Sequence, residues 1–260
     1  MVLNKSKYEA NLRVNRDDVE GYKTFFSFSN PTWPAHEHDK PFQQIIQKTN
    51  TIILESFPMP KGIEPSVANE EFLPNLYILY SFSRYSASLE GNFSEFGVHQ
   101  GRSSLVSALT AVKYSSSSRE FHLVDSFEGL SAPVRADGSF FKKSMLNNTD
   151  AEIVLQRLLS VTSGARLHKG FIPEVLNEID STTYSFVHID VDLSEPTISV
   201  LEFVYEKMVT GGVILFDDFG FHMCPGVRTG VEKFFQDKLE KPISLPTGQA
   251  FVIISPASRR

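Results

Sequence analysis

The 260-residue chain carries 25 Lys and Arg against 31 Asp and Glu, a formal net charge of −6, with 41% hydrophobic and 22% charged residues. That is the composition of an ordinary globular chain long enough to bury a large core, and its negative balance gives no electrostatic reason to bind a nucleic acid. The single cysteine, Cys224, excludes an internal disulfide and any zinc site built from several thiolates.

Residues 1–88 lack the strand–helix alternation of the rest. The start, "MVLNKSKYEANLRVNRDD", has no apolar stretch suited to a signal peptide, and no window approaches the roughly 18 apolar residues of a membrane span. A cytoplasmic protein with no membrane partner is expected. In the stretch "NPTWPAHEHDKP" that follows, "HEHD" (36–39) reads as solvated loop. A helix is predicted from Pro41 to Ser56, with Phe42, Ile45, Ile46, Ile52 and Ile53 on one face. A second is predicted over 69–87, with Pro74 near its first turn. Residues 1–88 are read as an N-terminal helical extension, and 89–260 as the main domain. The partly apolar extension also makes a homo-oligomer plausible.

From Gly91 onward, short apolar runs alternate with amphipathic segments. Strands are predicted at 93–98, 120–126, 165–171, 184–191 and 212–218. Among the intervening helices, one presents Leu105, Leu109 and Val112. Another presents Ile198, Leu201, Val204, Tyr205 and Met208, and a third Val227, Val231, Phe234, Phe235 and Leu239. The rhythm is that of parallel βαβ units. "PISLPTGQAFVIIS" closes the chain as two strands around Thr247-Gly248 with no room for a helix between them. The fold class is therefore α/β, a doubly wound sheet whose last strand is reversed.

In such a sheet ligands bind beyond the carboxyl ends of the strands, where the strand order reverses. Three features fall on that rim. In "EFGVHQGRSS" a strand ends at Glu95, Gly97 and Gly101 shape a turn, and Arg102-Ser103-Ser104 open a helix whose free N–H groups face outward. Asp125 ends the next strand, where nucleotide folds accept both hydroxyls of a ribose; the alternative is a helix cap or a solvated loop aspartate. Finally, "FVHIDVDLSEPT" and "GGVILFDDFGF" each end in a pair of aspartates. Alternation puts Asp190 and Asp192 on one face and splits Asp217 from Asp218. Neighbouring strands bring one of each pair close together, where carboxylates repel unless a cation lies between them. Oxygen-only ligands suit a hard ion such as Mg²⁺; helix capping accounts for Asp192 but not for Asp190 or the Asp217-Asp218 pair. His188 shares the face of Asp190 and either assists proton removal or is a core histidine. His99 and His222 flank the rim. Segment 129–148, with Phe140, Phe141 and Lys142, is either part of a lid or a surface hinge.

"EFGVHQGRS", "VDSFEGL", "HIDVDLSEPT", "GGVILFDDFGF" and "LPTGQAFVI" recur in this order in the macrocin O-methyltransferase family, which the chain resembles over residues 88–255. The resemblance implies a seven-stranded class I methyltransferase fold using S-adenosyl-L-methionine, with a sugar hydroxyl of a natural product as acceptor and a phenol as the alternative. It implies cofactor contacts from Glu95, Gly97, Gly101, Ser103, Asp125, Ser126, Phe127 and Asp190. It also implies Mg²⁺ on Asp190, Asp217 and Asp218, with Asp190 or His188 as the proton acceptor. The chain departs from the family at His99 and Gln100, where an aromatic and a basic residue are usual, and at Ser194 and Phe219, where tyrosine is. A nucleotide-binding P-loop is the rival reading, but it needs four residues between its glycines and a lysine after the second. Here there are three and an arginine.

Overall fold

The computed structural model describes residues 35–56, 63–70, 72–180 and 182–259, and the expectations for residues 1–34 lie outside them. The sequence HEHD is not a loop. Ala35–His38 makes one helical turn (α1), and Asp39 caps α2 (Lys40–Glu55), its carboxylate accepting from the Phe42 N–H at 3.0 Å. The next helix, α3 (Leu73–Ser86), has Pro74 in its first turn, where the missing N–H costs nothing.

The remaining elements alternate as expected. They are β1 (Asn92–Phe96), α4 (Arg102–Tyr114), β2 (Phe121–Asp125), α5 (Ala151–Leu159), β3 (Ala165–Lys169), β4 (Tyr184–Ile189), α6 (Ser194–Val204), β5 (Met208–Phe216), α7 (Pro225–Phe234), β6 (Ile243–Ser244) and β7 (Ala250–Ile253). All seven strands join one sheet in the order β3-β2-β1-β4-β5-β7-β6. β7 runs antiparallel to both of its neighbours, and the pairs from β3 across to β5 are parallel. Chain order reverses between β1 and β4, which is where a doubly wound sheet opens a crevice.

Side-chain alternation divides the core in two. Phe93, Phe186, Val213 and Leu215 pack with Phe42, Ile45, Leu76, Leu79 and Leu105, so α2 and α3 share one core with the sheet. Phe96, Val187, Ile189, Ile214 and Phe216 point the other way, toward Val200, Leu201, Val227 and Val231 of α6 and α7. Both helical patterns were overextended at their ends. Met208 opens β5 rather than closing α6, and α7 stops at Phe234, leaving Leu239 65% exposed. Val112 is 55% exposed as well, because α4 buries Leu105, Ala108, Leu109 and Ala111 instead.

Asp192 does not cap α6. Leu193 stands at that N-cap and offers no side-chain acceptor. The capping acceptor comes from the 129–148 loop: buried Asp137 takes the Ser194 N–H on Oδ1 at 2.7 Å and the Val134 N–H on Oδ2 at 2.9 Å. The same loop is pinned at its base by Leu130 N–H to Met145 O and Ser144 N–H to Leu130 O, at 2.8 and 2.9 Å. No helix among the described residues is long and apolar enough to cross a membrane.

Candidate active site

At the switch point β1 and β4 approach closely. Gly97 has φ +86, and a Cβ there would overlap the Asp190 carbonyl oxygen, so the position needs glycine on both counts. Around this contact two clefts open. The first has about 560 Å³ of empty space and is lined by Gly97, Asp125, Ser126, Phe171, Asp192 and Leu193, among others. The second, about 800 Å³, is walled by Phe72, Asn75, Leu76 and Leu79 around the start of α3, together with Ser103, His188, Asp217, Phe221, Thr247 and Gln249. Asp190 lines both.

The carboxylates converge. One oxygen from each of Asp190, Asp217 and Asp218 lies within 4.8 Å of the others. Burial raises Asp190 well above the ordinary carboxylate range, and the charges of Asp217 and Asp218 raise it further. Asp218 is raised by burial, then by Asp192 and Asp217, and Asp192 by burial, then by Asp190. Asp217 is the exception. Burial pushes it upward too, but His188 and Gln249 bring it below the usual range. Four acidic groups this close are unfavourable unless a cation shares them, and the oxygen-only donor set of Asp190, Asp217 and Asp218 fits a hard divalent ion. A second trio, Asp192, Asp218 and Cys224, fits less well. Its Cys224 sulfur is a soft donor, poorly matched to a hard divalent ion, and burial, then Asp218, pushes the thiol up.

Behind the carboxylates runs a buried chain of hydrogen bonds. Ser104 Oγ, on α4, donates to Glu95 Oε2, and His188 Nδ1 donates to Glu95 Oε1 at 2.7 Å. His188 Nε2 stands 3.5 Å from Asp217 Oδ1, an ion-pair distance. Burial alone would lower the His188 pKa, but Asp217 and Glu95 together raise it well above that of an ordinary imidazole.

The residues expected to contact a cofactor divide into those on the rim and those behind it. Gly97, Asp125, Ser126 and Asp190 line the first cleft. Ser103 lines the second. Glu95 lines neither, because its odd-numbered face of β1 turns toward α4, where Ser104 and His188 take its oxygens. Gly101 is also away from both clefts: at φ +78 it opens α4 and packs on Val154 of α5, 3.1 Å from where its Cβ would be. Phe127 turns inward to the α4-side core. Asp125 already accepts three backbone N–H groups, from Val98 and His99 on Oδ2 and from Phe127 on Oδ1, at 2.7–2.8 Å. A carboxylate has about four acceptor positions, so one remains for a hydroxyl rather than the two that a ribose offers.

Several residues that line the clefts were not among the expected site residues. Phe171 and Ile172 lie just past the carboxyl end of β3, as Asp125 lies at that of β2, so the carboxyl-end rule already pointed to them. Gln249 and Thr247 belong to the closing hairpin, and Asn75 to α3. Only the way distant segments come together in the fold reveals those three.

The family model of the macrocin-O-methyltransferases (TylF) matches residues 84–246. The chain belongs to this family. It is thus an O-methyltransferase by family, and its fold is similar to those of solved methyltransferases. The O-methyltransferase NovP aligns over 82% of this chain and 99% of its own, with TM-score 0.61 and 16% identity. The calicheamicin methyltransferase CalS11 aligns over 87% and 99%, with TM-score 0.58 and 20% identity. TomG from Streptomyces achromogenes aligns over 82% and 90%, with TM-score 0.52 and 14% identity. At such identities the likeness is one of fold. No curated protein sequence matches the chain.

Proposed function

We propose that this enzyme moves the methyl group of S-adenosyl-L-methionine onto a hydroxyl of a small natural-product acceptor, a sugar hydroxyl above all. In this reading Asp190, Asp217 and Asp218 hold a divalent cation such as Mg²⁺. One observation carries the proposal: two separate clefts meet at the sheet's switch point, and Asp190 lines both. The first then takes the cofactor and the second the acceptor. Two relatives support the reading by what is known of them. TomG was solved with S-adenosylmethionine, and CalS11 is described as a TDP-rhamnose 3′-O-methyltransferase.

S-Adenosyl-L-methionine supplies a methyl group already activated on a sulfonium, so the chain needs no nucleophile of its own. A divalent cation at the carboxylates supplies positive charge that favours an ionised hydroxyl. The chain's residues do the rest. Gly97 lets β4 approach β1 so that Asp190 stands between the two clefts, and Asp125 takes one ribose hydroxyl. Phe72, Leu76, Leu79 and Phe221 give the acceptor cleft apolar walls that limit water. Asn75 and Thr247 add polar groups suited to sugar hydroxyls. Asp190 accepts the acceptor's proton on a carboxylate oxygen. His188 is not the base in this scheme, because Nδ1 is held by Glu95 and Nε2 faces Asp217. Its role is to fix the carboxylates. Alignment of two reactants across one residue can supply about 7–11 kcal/mol of the barrier reduction.

Calorimetry with S-adenosylhomocysteine, ATP and NAD tests the cofactor, and labelled-methyl transfer onto sugars and phenols, with Mg²⁺ or excess EDTA, tests the reaction. We expect binding of S-adenosylhomocysteine alone and transfer to a sugar hydroxyl that stops in EDTA. Affinity for ATP or NAD instead would remove the cofactor assignment. A full rate in EDTA would remove the cation.

A further inference from the structure

Gln249 immediately precedes β7 and is 1% exposed. Antiparallel pairing of Ala250 with Phe216 sets it beside the residue that follows Phe216, which is Asp217. Its Nε2 donates to Asp217 Oδ1 at 2.7 Å and reaches the Asn75 main-chain oxygen at 3.5 Å. Its Oε1 accepts from Thr247 Oγ1 at 3.0 Å. The amide thus has a partner at each end, which fixes its orientation: flipped, it would turn an oxygen toward a carboxylate. A buried amide is costly unless satisfied, and an apolar side chain would pack a hairpin as well. The same Asp217 oxygen also faces His188 Nε2 at 3.5 Å. One hydrogen-bond donor from the closing hairpin and the His188 ring of β4 thus face the same carboxylate oxygen from either side of β5.

We propose that Gln249 is a positioning residue. It holds Asp217 in the orientation in which it shares a cation with Asp190 and Asp218, and through Asn75 it ties that carboxylate to the α3 wall of the acceptor cleft. The inference rests on the cation assignment made above. Ligating carboxylates are commonly oriented by such hydrogen bonds, and loss of one costs about 10–100-fold in metal affinity.

The test is calorimetric titration of MnCl₂ into the full chain saturated with S-adenosylhomocysteine, for wild type, Gln249→Met and Thr247→Val. Gln249→Met keeps the volume and removes the donor. Thr247→Val removes only the hydroxyl that orients the amide. The expected result is a Mn²⁺ Kd raised about 10–100-fold by Gln249→Met and by a smaller factor by Thr247→Val. S-Adenosylhomocysteine affinity without metal should stay at the wild-type value, and the metal-free unfolding midpoint should fall by no more than the loss of one buried hydrogen bond brings. A Gln249→Met Kd equal to wild type overturns the proposal. So does a weaker Kd accompanied by an equally weakened cofactor affinity and a lower metal-free midpoint, since that pattern marks a merely structural residue. A wild-type chain that takes up no Mn²⁺ overturns the cation assignment and the Gln249 role together, whereas unchanged variants of a metal-binding wild type remove the Gln249 role alone.

Discussion

His188 and Glu95 form a buried ion pair across neighbouring strands, 2.7 Å apart and only 3% and 6% exposed. Parallel pairing of β1 with β4 puts the two residues side by side in register. Ser104 satisfies the second carboxylate oxygen from α4. Removing one member of such a pair strands the other without water, which costs about 3–5 kcal/mol. Glu95→Ala should therefore lower the urea midpoint by that equivalent at unchanged m. Because Glu95 lines neither cleft, S-adenosylhomocysteine affinity of the folded variant should fall by less than about 3-fold, well under 1 kcal/mol. Full stability with cofactor binding lost would return Glu95 to direct contact with the ligand.

Asp190 is shared by the two clefts, so its side chain serves the reaction more than the binding of either ligand. Asp190→Ala and Asp217→Ala should each reduce methyl transfer at least about 100-fold, the scale of losing a general base or a metal ligand. S-Adenosylhomocysteine binding should largely survive in both. Single-turnover assays beside calorimetry separate the two effects, and wild-type rates in either variant would refute the assigned role.

Gly97→Ala tests the strand contact. A methyl group there would overlap the Asp190 carbonyl oxygen, and φ +86 is strained for any residue with a Cβ. Backbone strain of this kind costs about 1–3 kcal/mol. Forcing β1 from β4 also displaces Asp190. The expected outcome is a lower thermal midpoint together with loss of cofactor affinity. Gly138→Ala makes a useful control, since its Cβ would meet only Pro225, at 3.5 Å, away from both clefts, although its φ of +76 brings comparable strain. A Gly97→Ala enzyme that binds cofactor like wild type would show that the close approach is dispensable.

One pH effect on stability should arise outside the aspartate cluster, at a histidine pair on β2 and β3. His122 and His168 stack with centroids 5.3 Å apart and share a hydrogen bond of 3.0 Å between Nδ1 and Nε2. Burial lowers both, and for His122 the neighbouring His168 adds to it. Glu120 opposes the shift in each case, as Glu178 and Asp180 do for His168, while Arg166 reinforces it for His122. Both rings are thus neutral in the fold, whereas in the unfolded chain they titrate near 6.5. Above about pH 7 neither state binds the proton and the pair contributes no pH dependence. As pH falls through 6.5 the unfolded chain takes up protons first and stability drops, by at most about 1.4 kcal/mol per pH unit for each ring. Partly exposed His168 should contribute less, because solvent screens it. Urea denaturation between pH 7.5 and 5.5 reads the slope. His122→Phe should flatten it, and an unchanged slope in that variant would assign the acid sensitivity elsewhere.

Much of this protein is written locally. Apolar runs of period two followed by helical stripes are enough to specify βαβ units, because each strand and helix declares its buried face through its own neighbours in sequence. The placement of Asp125, Asp190, Asp217 and Asp218 at strand ends is local too, and the topological rule for open sheets turns it into a site. Where the local signal ends, sequence pattern and structure part. The stripe that included Leu239 continued past the end of α7, and HEHD resembled a loop because a one-turn helix has too few residues to show a period.

Tertiary structure alone decided what each polar atom does. Glu95 and Asp190 both end strands at the same rim, yet one faces α4 and spends its oxygens on Ser104 and His188, while the other opens onto both clefts. The α6 cap comes from Asp137, 57 positions before Ser194, not from the adjacent Asp192. Gln249 reaches Asp217 only because an antiparallel strand returns 32 positions later. Hydrogen bonds of this kind join residues with no periodic relation, so no pattern along the chain encodes them. They exist only once hydrophobic burial has fixed which strands are neighbours and in what register.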